Sequence, residues 1–516
     1  MNMKLYKILA VALAGVALTS CGDKFLTAHS TGQAEAGGEA TEGAIVSYLT
    51  SAYQILLFDS YANQNYNAVL LLSDLRSDDI YKGGGDASDQ EWMGHLSTFT
   101  IDPNNSPTGL WSIYFTGIQR CNNTIIACKN AVGMESAPER LARYNAEAHF
   151  LRAYYTHLLW KYYGNIPYFE EPLSVNPYMT VQMTADDVYK EILEDLEVAA
   201  AENVLPMTSY EVGRVNRAAA LMLRARVVMY QKDAAKYDQA AADMATIISS
   251  GEYDLFGDFD AMWLEANEFC CESIFESNQL DAPTGGDQKD WGSGWHGYGT
   301  NLPAFISPNG LEDPSGVFKG GWGFGPVRKE AWEMFEAGDI RRDASIIDWR
   351  DTKYNKRYQD TGFFQKKYAA REGYNPPPGD QDLNYNNNLR IFRYSETLLN
   401  YAELVGVLNA TPASGITPQA CMDKVRNRAG LASVPVTLEN IKKERRYEFL
   451  GEGMRFWDLV RWGDAETVLT ETVTGDGWNY SRTFNSAKDK YVPIPQSEID
   501  NTKGFGEFEL KQNPGY

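Results

Sequence analysis

The chain has 516 residues, 44% hydrophobic and 22% charged, and its 69 acidic against 47 basic side chains give a formal net charge of −22. That balance argues against nucleic acid, which rewards basic surfaces, and against electrostatic adhesion to anionic lipid, which needs clusters of Lys and Arg. The six cysteines are Cys21, Cys121, Cys128, Cys270, Cys271 and Cys421, with no CxxC pair, so neither a disulfide scaffold nor a zinc site is indicated.

The N-terminus comes first. Lys4 and Lys7 form a short positive segment, and an uncharged apolar run follows from Ile8 to Thr19. Its twelve residues are too few to span a bilayer, which takes about 20 in a helix. Charge, apolar run and small residues before a cut are the layout of a secretory signal peptide. The closing Leu18-Thr19-Ser20-Cys21 resembles a lipobox, whose Cys is acylated and becomes the new N-terminus. Residues 1–20 are therefore read as a lipoprotein signal peptide, and the small, polar residues 21–40 as a flexible tether running from lipidated Cys21. Lipid at Cys21 is the only membrane attachment in view.

Helical patterns then come in pairs. The first joins about Glu42–Phe58 with about Gly109–Ala131, whose Trp111, Tyr114, Phe115, Ile118 and Ile125 share a side. Leu141–Tyr163 repeats Leu151, Tyr154, Tyr155, Leu158 and Tyr162 at helical spacing until Gly164 and Pro167 stop it. Thr184, with Asp187 three residues on, starts the next helix, striped by Val188, Ile192, Leu196 and Ala199. Alanine-rich Asn216–Tyr230 and Tyr237–Ser250 follow, ended by Gly251 at a C-cap position. Tyr237-Asp238-Gln239-Ala240 reads like the second helix of a tetratricopeptide repeat. Leu389–Leu408 and Thr417–Ala429 complete four pairs. Cys121 and Cys128, seven apart on a helical pattern, are expected to be small buried hydrophobes.

Between the third and fourth pairs the chain changes character. From Gly285 to Gly325 there are twelve glycines with Trp291, Trp295 and Trp322, a composition in which helix does not persist. Long loops inside a compact protein are functional or disordered, and tryptophan argues against disorder. The expectation is a helical scaffold carrying a large, ordered, aromatic loop region.

The densest charge pattern is Glu444-Arg445-Arg446-Tyr447-Glu448-Phe449-Leu450-Gly451-Glu452-Gly453-Met454-Arg455-Phe456-Trp457-Asp458-Leu459-Val460-Arg461, then Trp462 and Gly463. The spacing predicts two short helices broken at Gly451 and Gly453, with ion pairs Arg445–Glu448, Glu452–Arg455 and Asp458–Arg461 and an aromatic underside of Phe449, Phe456 and Trp457.

This segment resembles the hallmark of the SusD/RagB family, surface lipoproteins of Bacteroidetes glycan-uptake systems. Ala146-Glu147-Ala148-His149-Phe150-Leu151-Arg152-Ala153-Tyr154-Tyr155, continuing to Tyr163-Gly164-Asn165-Ile166-Pro167, resembles the family's second block. Arg390 with Ser395–Glu403, Val425–Leu431, Val492-Pro493-Ile494-Pro495 and the ending Gln512–Tyr516 are similar to further blocks, in the same order. Asp23-Lys24-Phe25-Leu26 after the lipid Cys fits as well, although the proline common a few residues later is missing.

The resemblance implies a mainly α fold: tetratricopeptide-like helix pairs forming a right-handed scaffold, a large loop-rich ligand-binding region and few short strands. The body would be residues 41–516, with scaffold at about 41–60, 107–250 and 389–430. Loop-rich regions would occupy about 61–106 and 252–388, and the C-terminal signature region 437–516. It also implies a glycan ligand and a partner, a SusC-like TonB-dependent transporter in the outer membrane. The protein would then be lipid-anchored there, facing the exterior, with no nucleic acid partner and no cofactor.

Sugars offer apolar CH faces and a rim of hydroxyls, so a binder needs flat rings with planar polar groups beside them. Trp291, Trp295, Tyr298 and Trp322 supply rings in the Gly-rich region. A second aromatic loop holds Tyr66, Tyr81 and Trp92, with Asn67, Asp78 and Asp79 as polar companions. The ligand candidates are Trp92, Tyr81, Asp79, Asn67, Trp291, Trp295, Tyr298 and Trp322. A glycosidase would need two carboxyl groups about 5 to 10 Å apart across a cleft. Neighbours such as Glu170-Glu171 and Asp78-Asp79 suit a solvated surface equally well. HExxH and GxSxG are missing and the five histidines are scattered, so binding is favoured over catalysis. A binder of peptide or another nutrient in the same transport system is the other reading, and a structural adaptor gripping partners on its repeats a third.

Overall fold

The structure is a computed structural model, and it describes residues 38–59, 69–171, 180–280, 299–377 and 384–516. Cys21, Asn67, Tyr66, Trp291, Trp295 and Tyr298 lie outside the described residues.

In chain order the helices are α1 Glu42–Tyr53, α2 Val69–Leu75, α3 Glu91–Thr98, α4 Thr108–Lys129, α5 Pro138–Tyr163, α6 Ala185–Ala199, α7 Arg217–Gln231, α8 Tyr237–Ser250 and α9 Leu302–Ile306. They continue with α10 Lys329–Glu333, α11 Arg341–Ser345, α12 Tyr394–Gly406, α13 Pro418–Arg428, α14 Leu438–Phe449, α15 Arg455–Trp462, α16 Ala465–Val468 and α17 Gln496–Thr502. The strands form antiparallel pairs: β1 Ile166–Pro167 with β2 Gln182–Met183, β3 Ser273–Ser277 with β8 Leu389–Arg393, and β4 Asn309–Glu312 with β6 Lys353–Asn355. β5 Ile346–Asp348 pairs with β7 Phe363–Gln365, and β9 Glu471–Gly475 with β10 Trp478–Arg482.

The expected mainly helical, tetratricopeptide-type scaffold is present. α1 packs on α4, α4 on α5, α5 on α6, α7 on α8, α8 on α12 and α12 on α13. These are the four sequence pairs, stacked. Local signals set their ends. The Thr184 hydroxyl accepts from Asp187 N at 3.2 Å, Asn216 Oδ1 from Ala219 N at 2.8 Å and Thr417 Oγ1 from Ala420 N at 3.1 Å, each satisfying a free amide of the first turn. Gly251 takes φ 69° at the end of α8. Small residues let the scaffold close up. A Cβ at Gly117 of α4 would sit 2.5 Å from the Tyr155 ring of α5, so the tyrosine lies flat against bare backbone. Cys121, Cys128 and Cys421 are buried among these helices.

One boundary differs. The pattern taken as helix from Leu389 is strand to Arg393, and α12 starts at Tyr394. Five residues of mixed apolar and Arg character fit either state; pairing with β3 decides for strand.

The signature region also differs from its expected form. Gly451 and Gly453, at φ 80° and 70°, separate α14 from α15, and Phe449, Phe456 and Trp457 are buried as expected. Of the three expected ion pairs only Asp458–Arg461 forms, at 2.8 Å. Arg445 instead donates to Asp458 and Asn400, both at 2.8 Å. Arg455 reaches Asp78 at 2.8 Å. Glu448 is fully buried and takes Arg341 at 3.0 Å, Arg393 at 3.1 Å and Arg428. Glu452 pairs with Lys367 at 2.6 Å and Arg393 at 2.8 Å. Helix spacing predicts neighbours on an exposed face. These helices are covered on several sides, so their charges find partners across interfaces. The cationic groups around Glu448 hold its carboxyl well below the usual range despite burial.

Candidate functional site

The loop-rich side is built around a narrow ladder. Ile80 bridges Val327 and Gly83 bridges Phe324; Tyr81 N donates to Pro326 O, Gly84 N to Gly323 O and Gly325 N to Lys82 O, each at 2.9 Å. Gly83 has φ 68°, and a Cβ there would lie 2.4 Å from Gly323 O and 2.6 Å from the Pro326 ring, so only glycine allows this approach. Gln359 Oε1 accepts from both Lys82 N (3.1 Å) and Gly83 N (3.2 Å), and Tyr358 N donates to Gly84 O at 3.1 Å. The buried Lys82 ammonium closes the turn after the ladder, donating to the carbonyls of Asp86, Ala87 and Asp89. Burial pulls its pKa down.

The other side of the ladder laces onto α9. Gly321 N donates to Pro308 O (2.8 Å), Trp322 N to Ala304 O (2.6 Å), Gly323 N to Ser307 O (2.8 Å) and Phe324 N to Phe305 O (2.8 Å). Backbone bonds at four successive residues thus hold the backbone that carries the Trp322 indole. It stands edge-to-face on Phe305 at 4.8 Å and packs against a small cluster of Ala304, Ala370 and Tyr385, beside Tyr374. Arg357 Nη1 donates to the Trp322 carbonyl at 3.2 Å. Around the cluster, Lys319 N donates to Ala370 O and its Nζ to Asn375 Oδ1 at 3.3 Å, and the Tyr374 hydroxyl accepts from Glu265 N at 3.1 Å. Trp322 as a whole is half-buried.

Tyr385 also bridges Thr300, and Gly299 N donates to Asn384 Oδ1 at 2.9 Å. Residues 299–300 and 384–385 are thereby held together beside the cluster on which Trp322 packs.

The remaining candidates separate. Trp92, half-buried near the start of α3, gives its indole N–H to Gln90 Oε1 at 3.0 Å. Tyr81 is 4% exposed, with Trp478 at 5.0 Å, Tyr480 at 5.5 Å and the Arg328 guanidinium 4.3 Å from its ring. Asp79 is 1% exposed and receives Arg446 Nε at 2.8 Å. As placed, both are closed off from solvent and act as supports of the ladder. Asp78, paired with Arg446 and Arg455, is held the same way. Arg357, Lys319, Asn375 and Tyr374 were not singled out by the sequence. Tyr374-Asn375 directly before Pro376-Pro377-Pro378 is the one local sign of an ordered aromatic turn there.

Two family models match this chain, one described as the SusD family over residues 328–516 and one as starch-binding associating with outer membrane over residues 44–229. Surface glycan-binding protein A from Bacteroides fluxus is 63% identical, with a TM-score of 0.87, over 92% of this chain and 100% of that one. The chain belongs to the SusD family. A second member, surface glycan-binding protein A from Bacteroides thetaiotaomicron, is 38% identical with a TM-score of 0.82, over 92% of this chain and 100% of that one, and was solved in complex with laminarihexaose. A laminarin-binding SusD-like protein is 31% identical with a TM-score of 0.79, again over 92% and 100%. Among the described residues no helix is long and apolar enough to cross a membrane.

Proposed function

We propose that this SusD-family chain is a surface glycan-binding lipoprotein, which captures oligosaccharide or polysaccharide and passes it to a SusC-like TonB-dependent transporter. The observation that carries the reading is the half-buried Trp322, its backbone held by successive hydrogen bonds, its ring edge-on to Phe305 and the Arg357 guanidinium on its carbonyl. A flat apolar ring with a guanidinium nearby suits a sugar's CH face and hydroxyls. The laminarihexaose carried by the 38% identical relative makes laminarin oligosaccharides the first ligands to try.

Trp322 is the central stacking ring, with Trp92, Trp291, Trp295, Tyr298 and Asn67 as further contacts. Tyr81 and Asp79 act behind them. The protein binds and does not cleave; hydrolysis of a glycan it binds would overturn this. Acyl chains at Cys21 hold it on the outer membrane facing the exterior, and the tether keeps it near its transporter while it moves. Affinity electrophoresis of the purified protein against laminarin, other glucans and peptides tests the ligand class. Retardation by at least one glycan and by no peptide supports it, whereas retention by peptide alone favours the other nutrient reading.

A further inference from the structure

Away from the loop face, a cavity of about 30 Å³ lies where α5, α7, α12 and α15 meet, lined by Lys161, Arg226, Asn400 and Trp457 among others. That is room for about two water-sized occupants. Its charges almost cancel. Arg226 is neutralised by Glu396 at 2.6 Å, and Arg445 and Arg461 share Asp458 at 2.8 Å each, while Arg461 also holds Glu403. Four cations thus meet three carboxylates, and the odd one is Lys161. Its residue is 7% exposed, and among the described residues its ammonium has no hydrogen bond or ion pair. Its Nζ lies 4.3 Å from the Trp457 ring centroid, with the charges of Arg226, Glu396 and Asp458 also acting on it. On the facing helix Asn400 is 2% exposed; its Oδ1 accepts from Arg445, and its Nδ2 has no acceptor among the described residues.

We propose that this cavity is a binding site for one small monovalent anion, a halide such as chloride, held by Lys161 Nζ and Asn400 Nδ2. One buried cation in excess calls for one negative charge, since an ammonium taken out of water without a counter-charge is strongly disfavoured. Burial and the neighbouring Arg226 both pull the Lys161 pKa well down, against Glu396 and Asp458, which raise it. An anion keeps it charged and joins α5 to α12 through shared donors. The site is separate from the Trp322 face and independent of the glycan reading.

The test is crystallography of the whole purified protein grown in sodium bromide, joined to thermal melts in chloride or gluconate at fixed ionic strength. The expected result is an anomalous bromide peak within hydrogen-bond distance of Lys161 Nζ, with a saturable rise in Tm on the order of 1–2 °C in chloride. K161M should remove the chloride response while leaving glycan affinity unchanged. Water density with no anomalous peak overturns the proposal, as does an equal Tm in both salts. Should K161M fail to fold, the bromide peak in the wild-type crystal decides alone.

Discussion

Arg446 in the C-terminal signature lies 2.7 Å from the Asp79 carboxylate, 367 positions earlier in the chain, and its guanidinium also reaches Asp78 at 3.0 Å. The signature helix α14 thereby holds the strand that starts the ladder under Trp322. Arg446 is cationic throughout the working pH range, its pKa raised by Asp79 and Asp78 against the cost of burial. R446M should therefore act at two levels. Unpairing the buried Asp79 costs on the order of 3–5 kcal/mol in urea unfolding. Glycan affinity at a temperature where the variant is still folded should also fall, because the ladder loosens. A variant that loses stability but binds as before would detach the signature from the ligand face.

Glu448 tests the buried network. E448Q leaves Arg341, Arg393 and Arg428 short of a counter-charge, and the expected loss is again about 3–5 kcal/mol by chemical denaturation. The folded-state pKa of Glu448 lies well below its unfolded value, so its contribution is complete above the unfolded pKa near 4.5 and is lost as pH falls through the folded one. The E448Q deficit should accordingly be largest near neutral pH and shrink in acid.

Glu268 has the opposite sign. Its carboxyl is pushed up to about 7, first by burial and then by the nearby Glu276, although it accepts from Asn388 N at 2.7 Å. The folded state then binds a proton more tightly than the unfolded chain. Its share of stability is present below about pH 4.5 and declines as pH rises through 7. Tm measured from pH 5 to 8 should show this decline in the wild type and a flatter profile in E268Q.

Gly83 is predicted to be irreplaceable for binding. Alanine there meets both a left-handed backbone, worth about 1–2 kcal/mol, and two contacts under 3 Å. The expected outcome for G83A is a modest fall in Tm with a larger fall in glycan affinity, because the displaced strand is the one bonded to Gly323 next to Trp322.

Much of this was readable in advance for a physical reason. Stripes such as Leu151, Tyr154, Tyr155 and Leu158 repeat at helical spacing, and caps such as Thr184 and Gly251 act locally, so scaffold helices are written in neighbouring residues. Partners across an interface are not. Nothing near Arg445 announces Asn400, and nothing near Asp79 announces Arg446; spacing along one helix suggested Glu448 for the first, and loop composition suggested ligand for the second. Trp322 was legible by residue type in a Gly-rich stretch. Its surroundings were not, because Phe305, Arg357 and Tyr374 come from separate segments whose meeting depends on the ladder and α9.

The claim that matters most is that Trp322 is the platform for a glycan. Calorimetric titration of wild type and W322A with laminarihexaose, alongside matched thermal melts, tests it most directly. The account predicts measurable binding by the wild type, a loss of at least about tenfold in W322A, and Tm values close enough to show that both are folded. Equal affinities in two folded proteins would contradict it.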